Sequence, residues 1–180
     1  MAAGKTVVGR RLARSLGWSF LDLDAVIEAK EGRAVRDIFS GRYSGGRETD
    51  AVIRGLLTEE VLGGEHYFRE LEKEALSSVL EGSGQVIALG GGAVVDPNNL
   101  TLLKQRSLLI WLRVSPRTVL GRVGRTEDRP LLQGPDRLKR IKELSAQREG
   151  IYAEAHVAVD TDGLTVDQVV QRIQQQLCRP

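Results

Sequence analysis

The sequence predicts an α/β layered fold built on a parallel sheet, and three observations predict it. Gln85 to Leu89 and Ser107 to Val114 are near-continuous apolar runs of strand length, the pattern of strands covered on both faces. Segments with apolar residues at helical spacing stand between the strand-like runs, so strands and helices alternate. The chain has 180 residues, 41% of them hydrophobic, enough for one domain with its own core.

In chain order, Gly4-Lys5-Thr6 leads into Val8, Leu12 and Leu16, which recur every four residues until Gly17 and predict a helix with a glycine stop. Trp18 to Asp24 alternates, which predicts a strand with Leu21 and Leu23 on one face and Phe20, Asp22 and Asp24 on the other. That register projects two carboxylates together. Helical segments fill most of 25–80, interrupted by the Gly/Ser/Arg-rich stretch Gly41 to Gly46. Thr49 to Leu62 then resumes helical spacing, so a flexible loop leads into an extra amphipathic helix.

Beyond the strand ending at Leu89, Ser115-Pro116 opens a helix with an N-cap and a proline at the first helical position. Pro135 to Arg148 has helical spacing, and His156 to Asp160 reads as a further strand. The last helix starts at Thr165, where Gln168 completes a capping box, and Val166, Val169, Val170, Ile173 and Leu177 form its apolar stripe.

Charge narrows the partners. The chain carries 26 Lys+Arg against 24 Asp+Glu, yet Arg113 to Arg148 holds ten basic and four acidic residues. Guanidinium forks suit phosphate and carboxylate, so a small anionic ligand fits; a solvated helix face is the plain alternative. Nucleic acid is disfavoured, because the positive charge is local and the aromatic residues are not interleaved with it. The longest apolar run, Leu108 to Leu112, falls far short of the roughly 20 residues that cross a bilayer. The expectation is a cytoplasmic protein with no membrane partner. Cys178, the single cysteine, cannot form an internal disulfide.

Several short motifs could carry chemistry. Gly4-Lys5-Thr6 before a helix is the second half of a phosphate-binding P-loop, in which backbone N–H groups and the helix N-terminus hold phosphate oxygens. Asp22 and Asp24 at a strand's C-terminal edge could hold a metal and accept a proton. Gly90-Gly91-Gly92 follows a buried strand, and three glycines let backbone amides approach a ligand. Arg69 has Glu65 four residues earlier, the spacing of an ordinary exposed helix pair. His66 and His156 lack partners at ligand spacing and receive no metal role.

The order of these signals is more specific than any one of them. Gly4-Lys5-Thr6, Asp22-Leu23-Asp24, Phe68-Arg69 with Glu72, Gly90-Gly91-Gly92, Arg129-Pro130-Leu131-Leu132, then Arg148 and Tyr152, together resemble the shikimate kinase family. The resemblance runs from Ala3 to Ile173. It implies a three-layer P-loop kinase fold in a single domain, residues 1–180, with a substrate-binding helical region at 25–80 and a lid at 122–135. The implied reaction is transfer of the ATP γ-phosphoryl group to the 3-hydroxyl of shikimate, with Mg²⁺, in a monomer serving aromatic amino acid biosynthesis. A plastid would be the compartment in a plant or alga.

By motif, Ala3, Gly4, Lys5, Thr6 and Arg129 would bind nucleotide, and Thr6 and Asp22 would serve the metal. Asp24 would hold the acceptor hydroxyl and take its proton. Arg69, Arg148 and the Gly91 and Gly92 amides would bind the substrate carboxylate. Lys5 and Arg129 would act on the transferring phosphoryl group. Two other readings stand beside this one: a gluconate kinase-like enzyme on the same scaffold, and a non-catalytic relative.

The sequence departs from the family in three places. The family's first, central strand and the opening glycine of the P-loop are missing, for which a mis-assigned start or a truncated chain is the expected cause. An insertion at 41–62 enlarges the substrate-binding region. The lid between Arg125 and Arg129 is short. Four of the family's five strands are therefore expected, with a gap between those at Val86 to Leu89 and Leu108 to Val114.

Overall fold

A computed structural model describes residues 3–40, 64–122 and 136–177. The expected insertion at 41–62, the expected lid at 122–135 apart from Arg122 itself, with Arg129 in it, and Cys178 lie outside the described residues.

Helix α1 (Lys5–Leu16) ends on Gly17, whose φ of 68° is the left-handed geometry that lets its N–H reach back to Ala13 and Arg14 carbonyls. Strand β1 (Ser19–Asp22) follows, and here the expected register fails. The strand stops at Asp22, and Leu23 opens helix α2 (Leu23–Glu31). Leu23 is buried because it shares a helix face with Ile27 four residues on, at 0% and 1% exposure. In a window this short, strand alternation and helical spacing place the same leucine inside. Asp24 therefore sits in the first turn of a helix, off the strand that carries Asp22.

Helices α3 (Val35–Phe39) and α4 (Gly64–Val79) pack with α2 around Leu23, Ile38, Phe68 and Leu76. Strand β2 (Gln85–Ala88) then leads through Gly90-Gly91-Gly92 and a short 3₁₀ turn into α5 (Pro97–Arg106), capped by Asp96 on the Asn98 and Asn99 amides. Strand β3 (Ile110–Arg113) and helix α6 (Pro116–Arg122) follow, with Ser115 Oγ accepting from Thr118 N as its cap. Helix α7 (Arg137–Tyr152) is capped by the Asp136 side chain on Lys139 N, so it begins and ends later than its spacing suggested. Strand β4 (Val157–Asp160) and helix α8 (Val166–Leu177) close the described chain. At α8 the capping box forms as expected: Gln168 Oε1 accepts from Thr165 N at 2.8 Å, and Thr165 Oγ1 accepts from Gln168 N at 3.3 Å.

The strands pair in parallel, β1 with β2 in register Ser19 to Gln85, and β3 with β4 in register Ile110 to Val157. Among the described residues the two pairs form separate two-stranded sheets, and β2 and β3 are not hydrogen-bonded to each other. The expectation of strands buried on both faces is corrected accordingly. Val86, Ile87, Ile110, Trp111 and Leu112 are only half-buried, because among the described residues β2 is bonded to β1 alone and β3 to β4 alone. Helix α1 packs on β1, β2 and α8, and α8 packs on β4, so Val8, Leu12, Val170 and Ile173 share one apolar cluster with Val86 of β2, Ile110 of β3 and Val159 of β4.

Candidate active site

The helix α1 N-terminus forms one wall. Gly4 precedes it at φ 84°, a left-handed conformation that disfavours any side chain, and no acidic residue occupies the first turn. The positive end of the helix dipole is thus left for an external anion. Thr6 Oγ1 donates to Asp22 Oδ2 at 2.8 Å, which joins the helix to the end of β1. Ala3 and Lys5 border a cavity of ≈ 520 Å³ that also touches Gly90 and Gly91 and then follows β3. Its lining runs unbroken from Leu109 to Val114. A sheet face would contribute alternate residues, so the cavity lies along the strand's open edge.

Opposite stands the glycine turn, and each of its three residues receives a different functional side chain. A Cβ on Gly90 would lie 3.1 Å from both Asp24 Oδ1 and Glu72 Oε1. On Gly91 it would lie 3.2 Å from Arg148 Nη1 and from Tyr152 Oη. On Gly92 it would strike the Arg69 guanidinium, with Nη2 at 2.7 Å. Only glycines admit this convergence of α2, α4 and α7 on one loop.

Arg69 is held from several sides. Its Nη1 donates to Glu72 Oε2 at 2.6 Å and its Nη2 to Glu65 Oε1 at 3.3 Å, while the Phe39 and Phe68 rings lie within cation–π range of its Cζ at 5.7 and 5.4 Å. Glu72 is 1% exposed, and its Oε1 has no hydrogen-bond partner among the described residues. Burial pushes its carboxyl above the usual range, against the pull of Arg69, and the negative charge of Asp24 adds to the rise. Asp24 is raised too, by burial first and then by the charges of Asp22 and Glu28, against Lys5 and Arg69. Two carboxyl groups with a heightened hold on their protons thus flank Gly90.

The sites anticipated from sequence therefore gather in two places: Ala3, Gly4, Lys5, Thr6 and Asp22 at the α1 wall, and Asp24, Arg69, Gly91, Gly92 and Arg148 around the turn. Among the described residues no group of three or more His, Cys, Asp or Glu side chains could hold a metal ion. A family model described as shikimate kinase matches this chain over residues 1–61 and 46–178, two segments that overlap within the expected insertion. The chain belongs to the shikimate kinase family. Its sequence is 42% identical to a shikimate kinase of Moorella thermoacetica, over 98% of this chain and 90% of the relative. A shikimate kinase of Stenotrophomonas maltophilia is 40% identical over 92% and 81%. Among solved structures, the shikimate kinase from Acinetobacter baumannii in complex with shikimate aligns with a TM-score of 0.82 and 33% identity, covering 98% of this chain and 88% of that one.

Two side chains at this shikimate kinase turn received no role from the sequence. Glu72 was part of the motif spacing, and an acidic residue three after an arginine on a helix could have been read as its counter-ion. Tyr152 lies one helical turn past Arg148, the one signal that both reach the same loop.

Proposed function

We propose that this chain transfers the γ-phosphoryl group of ATP to the 3-hydroxyl of shikimate, giving shikimate 3-phosphate and ADP. The observation that carries the reading is the glycine turn, which presents a carboxyl group with raised proton affinity and two guanidinium groups to one small space facing a phosphate-type helix N-terminus. Phosphoryl transfer asks a protein mainly for positioning and charge, and the arrangement supplies both.

In this reading Arg69 and Arg148, with the Gly91 and Gly92 amides, bind the substrate carboxylate and fix the ring. Asp24 then receives the 3-hydroxyl, accepts its hydrogen bond and takes its proton. The raised pKa of Asp24 brings it nearer the working pH, where a base combines availability with driving force. Lys5 contacts the phosphates from the α1 wall, and Arg129, outside the described residues, neutralises charge from the lid. The hydroxyl of Thr6 and the carboxylate of Asp22 are adjacent hard oxygen donors, a set that fits Mg²⁺, which is bound by one or two protein groups and completed by phosphates and water. When bound, Mg²⁺ supplies neutralisation of phosphate charge. We take the enzyme to act as a cytoplasmic monomer; no described helix is long and apolar enough to cross a membrane.

The test is ATP-dependent formation of shikimate 3-phosphate by the purified chain. Asp24→Asn should lower kcat by roughly 10²–10⁴-fold, the span of a lost general base, with shikimate binding largely kept. A chain that phosphorylates gluconate and leaves shikimate untouched would refute the proposal.

A further inference from the structure

Every carbonyl of the glycine turn is engaged. The Gly90 oxygen accepts from Ala93 N at 3.2 Å and the Gly92 oxygen from Val95 N at 2.9 Å, both closing the turn locally. The Gly91 oxygen accepts instead from Tyr152 Oη at 2.7 Å, a bond that reaches across 61 residues from the end of α7. The N–H groups of Gly91 and Gly92, by contrast, have no acceptor among the described residues. The turn therefore spends its acceptors on the protein and keeps two donors open.

We propose that Tyr152 is a positioning residue that sets the plane of the Gly91–Gly92 peptide and so aims the Gly92 N–H at the substrate carboxylate. In a trans peptide the C=O and the following N–H share one plane and point in opposite directions, so fixing the Gly91 carbonyl on α7 turns the Gly92 N–H away from α7. The tether matters because neither flanking residue has a Cβ, and a Gly–Gly peptide can rotate at small cost. Tyr152 is itself well held: its ring packs on Trp111 with centroids 5.8 Å apart, and it follows Arg148 by one helical turn. Helix α7 thereby delivers a guanidinium and a phenol to the same glycine, each 3.2 Å from its Cβ position. The inference rests on the carboxylate-binding role proposed above for the turn and its arginines.

Tyr152→Phe keeps the ring and its packing and removes only the hydroxyl. Loss of one neutral hydrogen bond should raise the KM for shikimate about three- to tenfold. Both kcat and the KM for ATP should stay within twofold, with the unfolding midpoint near that of the parent. An analogue with a methyl group in place of the carboxylate, which offers the Gly92 N–H no acceptor, should show no difference between parent and variant. An unchanged shikimate KM, or an equal rise for both compounds, overturns the proposal and leaves Tyr152 a docking contact of α7. Arg69→Lys in the same assay separates the two levels: if it leaves the shikimate KM unchanged, the carboxylate reading itself fails, whereas if it raises that KM while Tyr152→Phe does not, only the role of Tyr152 fails. Should Tyr152→Phe not fold, the parent serves alone: its ¹⁵N-labelled Gly92 amide proton must move downfield on adding shikimate, as a hydrogen bond to the carboxylate requires, and show no such downfield move with the methyl analogue, and equal shifts overturn the proposal.

Discussion

Arg69 lies over Gly92 with one nitrogen on a buried carboxylate and another on an exposed one, so its fork is already oriented before any ligand arrives. A lysine ammonium cannot span Glu72 and a substrate carboxylate in that geometry. Arg69→Lys should therefore weaken shikimate binding by about ten- to a hundredfold, the loss of one charge-assisted contact worth roughly 1.5–3 kcal/mol, with ATP binding unchanged in calorimetric titration. Asp24 gives a second expectation, on stability. Its folded pKa lies above the ordinary value, so the folded state binds its proton more tightly than the unfolded chain does. That contribution is complete below the ordinary carboxylate range and fades as pH rises through the folded value. Acidifying from neutral toward that range should raise the thermal midpoint of the parent relative to Asp24→Asn, and parallel midpoint-against-pH curves for the two proteins would contradict it. The sequence placed Asp24 at the site through the motif, but on a strand with Asp22. Its true position in the first turn of α2 is what brings it to Gly90, 66 residues away in the chain, and no local pattern encodes such an approach.

Helices were the most legible elements, because each carries its own boundary chemistry. Gly17 stops α1, Ser115 caps α6, and Thr165 with Gln168 starts α8, all as the residue types require. Helix α7 departs from its expected bounds because apolar spacing carries no boundary: its start is fixed by the Asp136 side chain, which accepts from Lys139 N. The capping box offers a clean test at this scale. Thr165→Ala should lower stability by about 1 kcal/mol, which is roughly 2–4 °C in unfolding midpoint for a chain of this size. Steady-state constants for both substrates should not move, since α8 packs on α1 and β4, away from the glycine turn. Altered kinetics in a folded Thr165→Ala protein would mean that α8 couples to the site through α1.

At the scale of the whole molecule, the apolar runs announced parallel strands but not how completely those strands would be bonded. The same residues, Ile110 to Leu112, read as fully covered in sequence and are half-buried in the fold, since coverage depends on neighbours that no run of residues specifies. The paired sheets have a consequence in amide hydrogen exchange. Along a strand, successive N–H groups point to opposite edges. Leu109 and Arg113 turn their carbonyls toward β4, accepting from Val157 N at 3.2 Å and Thr161 N at 2.9 Å, and Trp111 shares their edge. Ile110 and Leu112 then face the other way. In β2, Gly84 accepts from Ser19 N at 3.0 Å, which assigns Val86 and Ala88 to β1 and turns Ile87 outward. Protection should thus alternate residue by residue, slow at Val86, Ala88 and Trp111 and fast at Ile87, Ile110 and Leu112, although all six lie in strands. Uniform protection along both strands would show instead that in solution each of these edges is closed. An alternating record would mean that these two strands exchange their protons with water at two tempos, one for each edge.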